Sequence, residues 1–218
     1  MTRVWPLAAG AALVAVAAPA SSLAQLAPGF SGSSSTSYMD ANEYWRTLRS
    51  FGACFARESE SMAVALLATE PDSKAERELY KQITGREKNQ PCLTDTSMYV
   101  PAPLLRGAVV EGLYKRGVAL PAELRLAPPA AEVRTLGEAA RCYAARHRSE
   151  VEALIAGTAP GSKKELAALS AMAPRFYACL PAKAQKLTFN PTQVRYRLAE
   201  ALLRMPAAAV AQPAAQER

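Results

Sequence analysis

The chain has 218 residues, with four cysteines, one histidine and a formal net charge of +7. It carries no Gly-rich phosphate loop, no metal-ligand spacing and no serine-hydrolase elbow, so no motif commits it to a reaction, a cofactor, a metal or nucleic acid. Beyond its first two dozen residues, no stretch is apolar and long enough to span a bilayer.

Met1-Thr2-Arg3 is a short basic start. An Ala- and Val-rich run from Val4 to Ala20 follows, and then Ser21-Ser22-Leu23-Ala24. This order of basic, apolar and small residues predicts a secretory signal peptide, residues 1–24, cleaved after Ala24 or Gln25. Pro6, Gly10 and Pro19 interrupt the run and no positive stop-transfer cluster follows, which disfavours a membrane anchor. The expected location is periplasmic or secreted, where disulfides persist. About 194 residues remain after cleavage, enough for one domain or two small ones. Residues 25–39, with Pro28, Gly29, Gly32 and several serines, read as a flexible lead-in.

From residue 40 the chain repeats itself. Arg46-Thr47-Leu48 recurs as Arg134-Thr135-Leu136, and Cys54-Phe55-Ala56 as Cys142-Tyr143-Ala144. Ala65-Leu66-Leu67-Ala68 recurs as Ala153-Leu154-Ile155-Ala156, and Ser73-Lys74 with Glu76 as Ser162-Lys163 with Glu165. Cys92-Leu93 recurs as Cys179-Leu180. Arg106, Glu111 and Leu113 recur as Arg195, Glu200 and Leu202. The order is kept throughout with gaps of one or two residues, which predicts a tandem duplication with units 40–116 and 130–205. A Pro-rich linker, 117–129, joins them, and an Ala/Pro/Gln tail, 206–218, follows as a disordered segment.

Each unit reads as three to four helices. Asp40-Ala-Asn-Glu43 is a capping-box start, and Tyr44, Leu48, Phe51 and Phe55 follow at helical spacing. Val133, Leu136, Ala140 and Tyr143 are the second unit's counterpart. A short helix carries Val64, Leu66 and Leu67, and its copy is expected to open at Ser149-Glu-Val-Glu152. A third helix opens at Ser73-x-x-Glu76 and again at Ser162-x-x-Glu165. The last helix follows Pro101 and Pro103 in one unit and Pro191 in the other, and proline is tolerated in a first turn. Met98-Tyr-Val100 and Leu187-Thr-Phe189 alternate briefly but read as extended loop. The fold class expected is all-α, a tandem duplication of a small disulfide-stapled helical unit.

The cysteines of each unit are 38 and 37 residues apart. Four cysteines allow three connectivities, and spacing does not exclude the others. A duplicated unit carrying its own bond favours Cys54–Cys92 and Cys142–Cys179. Redox catalysis wants Cys-x-x-Cys and zinc wants clustered Cys and His; neither pattern is present.

For polar sites the sequence offers little. His147 lies near Cys142, but reads as a helix-end residue between Arg146 and Arg148. Arg106 with Glu111, and Arg195 with Glu200, are kept in both last helices and form the candidate polar or structural site. They are expected to bind backbone or a neighbouring helix rather than to catalyse. The first unit holds eleven basic and eleven acidic residues and the second twelve and six. The basic surface candidates in that second unit are Arg146, Arg148, Lys163 and Lys164, a face that would steer an acidic envelope component or protein.

These short motifs resemble those of a family of small exported bacterial proteins of unknown function, in which a paired-Cys helical unit is duplicated. The resemblance rests on Cys54-Phe55-Ala56, Leu66-Leu67-Ala68-Thr69, Ser73-Lys74, Cys92-Leu93 and Arg106 with Glu111, together with their second copies. The second copy departs at Gly157, which breaks the Ala-Thr step, and in the region before Cys179. The resemblance implies the architecture and no activity. The expectation for function is a non-catalytic periplasmic interaction or envelope-associated protein. The rivals are an envelope-glycan hydrolase using a last-helix carboxylate, and a toxin-binding or chaperone-like stress protein.

Overall fold

A computed structural model describes residues 41–84, 92, 100–129, 133–184 and 189–205. The expected signal peptide, the lead-in through Asp40, the tail after Met205 and most of the two alternating segments lie outside the described residues. Eight α-helices are present among those described, and no strand. They are α1 (Ala41–Glu58), α2 (Glu60–Ala68), α3 (Lys74–Thr84), α4 (Ala102–Lys115), α5 (Leu136–Arg146), α6 (Arg148–Gly157), α7 (Lys163–Tyr177) and α8 (Pro191–Arg204). None is long and apolar enough to cross a membrane.

The helix starts follow local chemistry. Ser73 Oγ accepts from Glu76 N, and Ser162 Oγ accepts from Glu165 N, both at 3.1 Å. The glutamates reach back one residue beyond the cap, so Glu76 Oε2 accepts from Asp72 N and Glu165 Oε2 from Gly161 N, both at 2.6 Å. Asp72 and Gly161 take positive φ, 62° and 73°, which turns each backbone N–H towards its carboxylate. At α8, Asn190 caps the first turn and Pro191 fills the position where no N–H is needed.

Two expected boundaries move. Helix α6 starts at Arg148, with His147 as the kink after α5, so Ser149 lies inside the helix and caps nothing. Thr135 and Glu138 form a full capping box at the start of α5. Its counterpart tripeptide, Arg46-Thr47-Leu48, lies inside the longer α1.

The core is continuous across the linker. Helix α1 packs on α4, α4 on α8 and α8 on α5, with α2, α3, α6 and α7 at the flanks. Leu48, Phe51 and Phe55 of α1 and Leu105, Val109 and Leu113 of α4 are buried, as are Tyr143 of α5 and Leu198 and Leu202 of α8. The linker is pinned rather than free. It forms a 3-10 turn at Ala122–Leu124, Leu126 N donates to Arg204 O at 2.9 Å, and Arg204 Nε donates to Leu124 O at 3.0 Å.

Close helix approach depends on small residues. A Cβ on Gly52 of α1 would lie 2.2 Å from the Ala108 carbonyl oxygen of α4. A Cβ on Gly107 of α4 would lie 2.2 Å from the Tyr196 ring of α8. Disulfides join Cys54 to Cys92 and Cys142 to Cys179, so the tail ends of α1 and α5 are tied to the segments before α4 and α8.

Gly52→Ala pushes a methyl into backbone, which cannot move alone. It is expected to cost about 1–3 kcal/mol in chemical denaturation, whereas Gly157→Ala, with open space around its Cβ position, leaves the midpoint nearly unchanged. Replacing Cys142 and Cys179 together by serine releases a loop of 37 residues. Equilibrium unfolding is expected to show a loss of about 2–4 kcal/mol.

Candidate functional site

The four polar residues singled out on the last helices meet at the centre of the molecule. Helices α4 and α8 run antiparallel, so Arg106 faces Glu200 and Arg195 faces Glu111. Arg195 grips Glu111 side-on, with Nε to Oε2 at 2.7 Å and Nη2 to Oε1 at 2.9 Å. Arg106 Nη2 donates to Glu200 Oε1 at 3.0 Å. Both guanidinium groups are buried, at 1% and 0% relative exposure.

Each arginine also closes the end of a flanking helix. Arg106 Nη1 donates to Leu66 O at 2.8 Å and Nη2 to Leu67 O at 3.4 Å, the last carbonyls of α2. Arg195 Nη1 donates to Leu154 O at 3.4 Å and Nη2 to Ile155 O at 3.2 Å, at the end of α6. A helix C-terminus leaves carbonyls unpaired and carries partial negative charge, so a cation there is doubly favourable. Thr69 and Thr158 complete the closure. Each hydroxyl donates to a carbonyl of its own helix, Leu66 O and Leu154 O, at 2.7 Å, and accepts from the arginine. The extra Gly157 is thus absorbed at the end of α6, and Thr158 does what Thr69 does.

The capping glutamates supply the remaining charge. Glu76 Oε1 accepts from Arg106 Nη1 at 3.0 Å, and Glu165 Oε1 lies 3.8 Å from Arg195 Nε. This second role was missed from sequence, where both residues read only as caps; their retention beside Arg106 and Arg195 was the available signal. At the rim, Lys115 donates to Glu111, and Arg197 and Arg204 donate to Glu200.

The electrostatics follow from these partners. Burial acts against the Glu200 carboxylate, but Arg106, Arg197 and Arg204 outweigh it and hold its pKa at about 2. Burial likewise opposes the charge on Glu111, and Arg195 and Lys115 bring its pKa below the usual carboxylate range. Burial lowers and Glu200 and Glu76 raise the pKa of Arg106, with a net upward result. Glu165 goes the other way: burial raises its pKa more than Arg195 lowers it.

Of the basic surface candidates, Arg146, Lys163 and Lys164 are exposed. Arg148 is half-buried and committed, with Nη1 donating to Met205 O at 2.6 Å and Nε 2.8 Å from Glu152. His147 packs its ring 4.7 Å from Tyr143, and Cys142 is in a disulfide, so the two form no nucleophile–base pair. Among the described residues no group of His, Cys, Asp and Glu side chains gathers that could hold a metal ion. Leu166, at the outer edge of α7, is the one large apolar side chain they expose. No family model, curated protein or solved structure matches the chain.

Glu111 and Glu200 have pKa values below their ordinary 4.5 in the folded state. Their stabilisation is therefore full above about pH 4.5 and is lost as pH falls towards 2. The Glu200 shift alone is worth on the order of 3 kcal/mol. Glu165, with a raised pKa, works oppositely and takes stability away as pH rises above 4.5. Thermal melts should show a steep loss between pH 4.5 and 2.5, and Glu200→Gln should be both less stable at pH 7 and flatter across that window. An unchanged pH slope in Glu200→Gln would remove Glu200 from this account.

Proposed function

We propose that this is an exported, non-catalytic interaction protein of the cell envelope, built by tandem duplication of one disulfide-tied helical unit and contacting an acidic partner through its second unit. The observation carrying the non-catalytic part is the engagement of Glu111 and Glu200. A hydrolase using a last-helix carboxylate needs a raised-pKa acid open to substrate. These two carboxylates are buried, gripped by arginine and held ionised.

Duplication is supported by matched chemistry in the two halves. Each half closes a short helix with an arginine and a threonine, caps the next with Ser-x-x-Glu, and ties two segments with a disulfide. Periplasmic or secreted placement is supported by those two disulfides and by the signal-like first 24 residues. The acidic partner is supported by the charge imbalance of the second unit and by the exposure of Arg146, Lys163 and Lys164.

Two measurements test the reading. Fractionation of cells making the full chain should release a disulfide-bonded form lacking about 24 residues with the periplasm or medium; a full-length reduced form in the cytoplasm refutes export. The purified chain should bind vesicles rich in anionic headgroups, or an anionic envelope polymer, at low ionic strength and release at high salt. Reversal of Arg146, Lys163 and Lys164 to glutamate should weaken that binding at least tenfold. Equal retention of the triple variant refutes the basic face as the contact.

A further inference from the structure

Helices α3 and α7 begin alike, each with a Ser-x-x-Glu cap, but they turn different faces to solvent. The exposed positions of α3 include Lys74, Arg77, Glu78 and Lys81, so charge recurs along its length. On α7 the exposed charges stop after Lys163 and Lys164. From there to Arg175, about three helical turns, the exposed residues are Leu166, Ala167, Ser170, Ala171 and Pro174, and none is charged. The one acid of α7, Glu165, is turned inward, where it accepts from Gly161 N. The charge of Arg175 is met by Glu150. The outer face of α7 is therefore uncharged along most of its length and cationic at its first turn.

Apolar surface continues that face sideways. Leu166, 40% exposed, stands at the rim of a half-open apolar cavity of about 140 Å³ between α7 and α8. Phe176 and Tyr177 of α7, Phe189, and Val194 of α8 are among its walls, and the Tyr177 and Phe189 rings lie 6.4 Å apart. The lysines are not explained by the helix itself, because cations in a first turn oppose the helix dipole. An uncharged face bordered by lysines is instead the pattern of a helix that lies in the boundary between lipid headgroups and acyl chains. Lysine stems can follow the apolar surface while their ammonium groups reach the phosphates.

We propose that α7 is a membrane-contact helix, whose uncharged outer face and Leu166 rest in the headgroup–acyl boundary of an anionic bilayer while Lys163 and Lys164 meet the lipid phosphates. The inference rests on the acidic-partner reading above and narrows it from an envelope component to a lipid surface. A soluble polyanion would be met by the lysines alone and would leave the three uncharged turns and the cavity mouth in water. A bilayer satisfies both parts of the face at once.

The test uses the exported, disulfide-bonded chain, residues 25–218, so that the apolar run Val4–Ala20 cannot itself enter a bilayer. The probes are phosphatidylcholine vesicles, the same vesicles enriched in phosphatidylglycerol, and dextran sulfate as a polyanion without acyl chains. The chain should co-sediment with the phosphatidylglycerol vesicles and not with phosphatidylcholine alone. Leu166→Gln, at an exposed position, should keep the wild-type melting temperature and its affinity for dextran sulfate, but bind the anionic vesicles about tenfold more weakly. Leu166→Trp should show blue-shifted emission on the vesicles and quenching by brominated acyl chains, and Gln82→Trp, on the exposed side of α3, should show neither. No vesicle binding, Leu166→Gln binding vesicles as tightly as the wild type, or equal quenching of the two tryptophan variants overturns the proposal. A dimer in free solution that Leu166→Gln dissociates also overturns it, by assigning the face to a second copy. If dextran sulfate binding persists in those cases and is lost in the triple glutamate variant, the basic-face reading stands without the lipid contact; if neither probe binds, both fall.

Discussion

Placing two guanidinium groups and four carboxylates where almost no water reaches costs several kcal/mol per ion unless each meets partners of good geometry. Here each arginine touches one acid from its own half and one from the other. Arg106 bridges Glu76 and Glu200, and Arg195 bridges Glu165 and Glu111. The exchange holds only while α4 and α8 lie antiparallel and in register. A slip along the helix axis would break the Arg106–Glu200 and Arg195–Glu111 pairs and leave each charge only the partners of its own half. Specificity of packing, more than raw stability, is what such an arrangement supplies, because apolar residues of similar volume would fill the same space at less cost.

The rest of the architecture serves that register. Gly107 lets the Tyr196 ring of α8 lie flush on α4, and Gly52 and Gly112 let α1 and α4 approach backbone to backbone. Trp45 of α1 reaches the start of α7, where a Cβ on Gly161 would lie 2.0 Å from its ring. The arginines in turn organise what surrounds them. By donating to the closing carbonyls of α2 and α6, they define where those short helices end. Without the guanidinium groups, the carbonyls of Leu66, Leu67, Leu154 and Ile155 would lack these buried donors.

The helices were legible wherever chemistry is local. Ser73-x-x-Glu76, Ser162-x-x-Glu165 and Pro191 marked helix starts because capping needs only the residues within one turn. Arg106, Glu111, Arg195 and Glu200 stood out because they recur, and an expectation that they bind backbone and neighbouring helices follows from their spacing. What did not show was the crossing. Arg106 and Glu200 are 94 positions apart, and no local pattern reveals that two helices lie antiparallel. Ser149 misled for a related reason. Ser-Glu-Val-Glu satisfies the capping pattern, but the chain had already turned at His147, where α5 ends and α6 must leave at a new angle to bury Val151 and Leu154. Gly157 is a break only along the sequence; in space the hydroxyl of Thr158 still arrives beside its arginine.

The asymmetries between the halves accumulate on one side. Glu76 has both oxygens engaged, by Asp72 N, Arg106 and Tyr80. Glu165 has the matching backbone bond and accepts from Thr192 at the same oxygen, and its other oxygen has no hydrogen-bond partner. Burial then prevails over a single distant guanidinium contact, and its pKa rises where that of its cross-helix neighbour Glu111 falls. An unpaired buried acceptor costs about 1–3 kcal/mol, so Glu165 is less well satisfied at Oε1 than Glu76 is. On the proposed duplication, the half with the less satisfied glutamate is also the half carrying the basic excess. The two departures are physically unrelated, one a buried oxygen without a donor and the other a surplus of basic residues. The crossed pairs, by contrast, draw equally on both halves, since each arginine of one meets a carboxylate of the other.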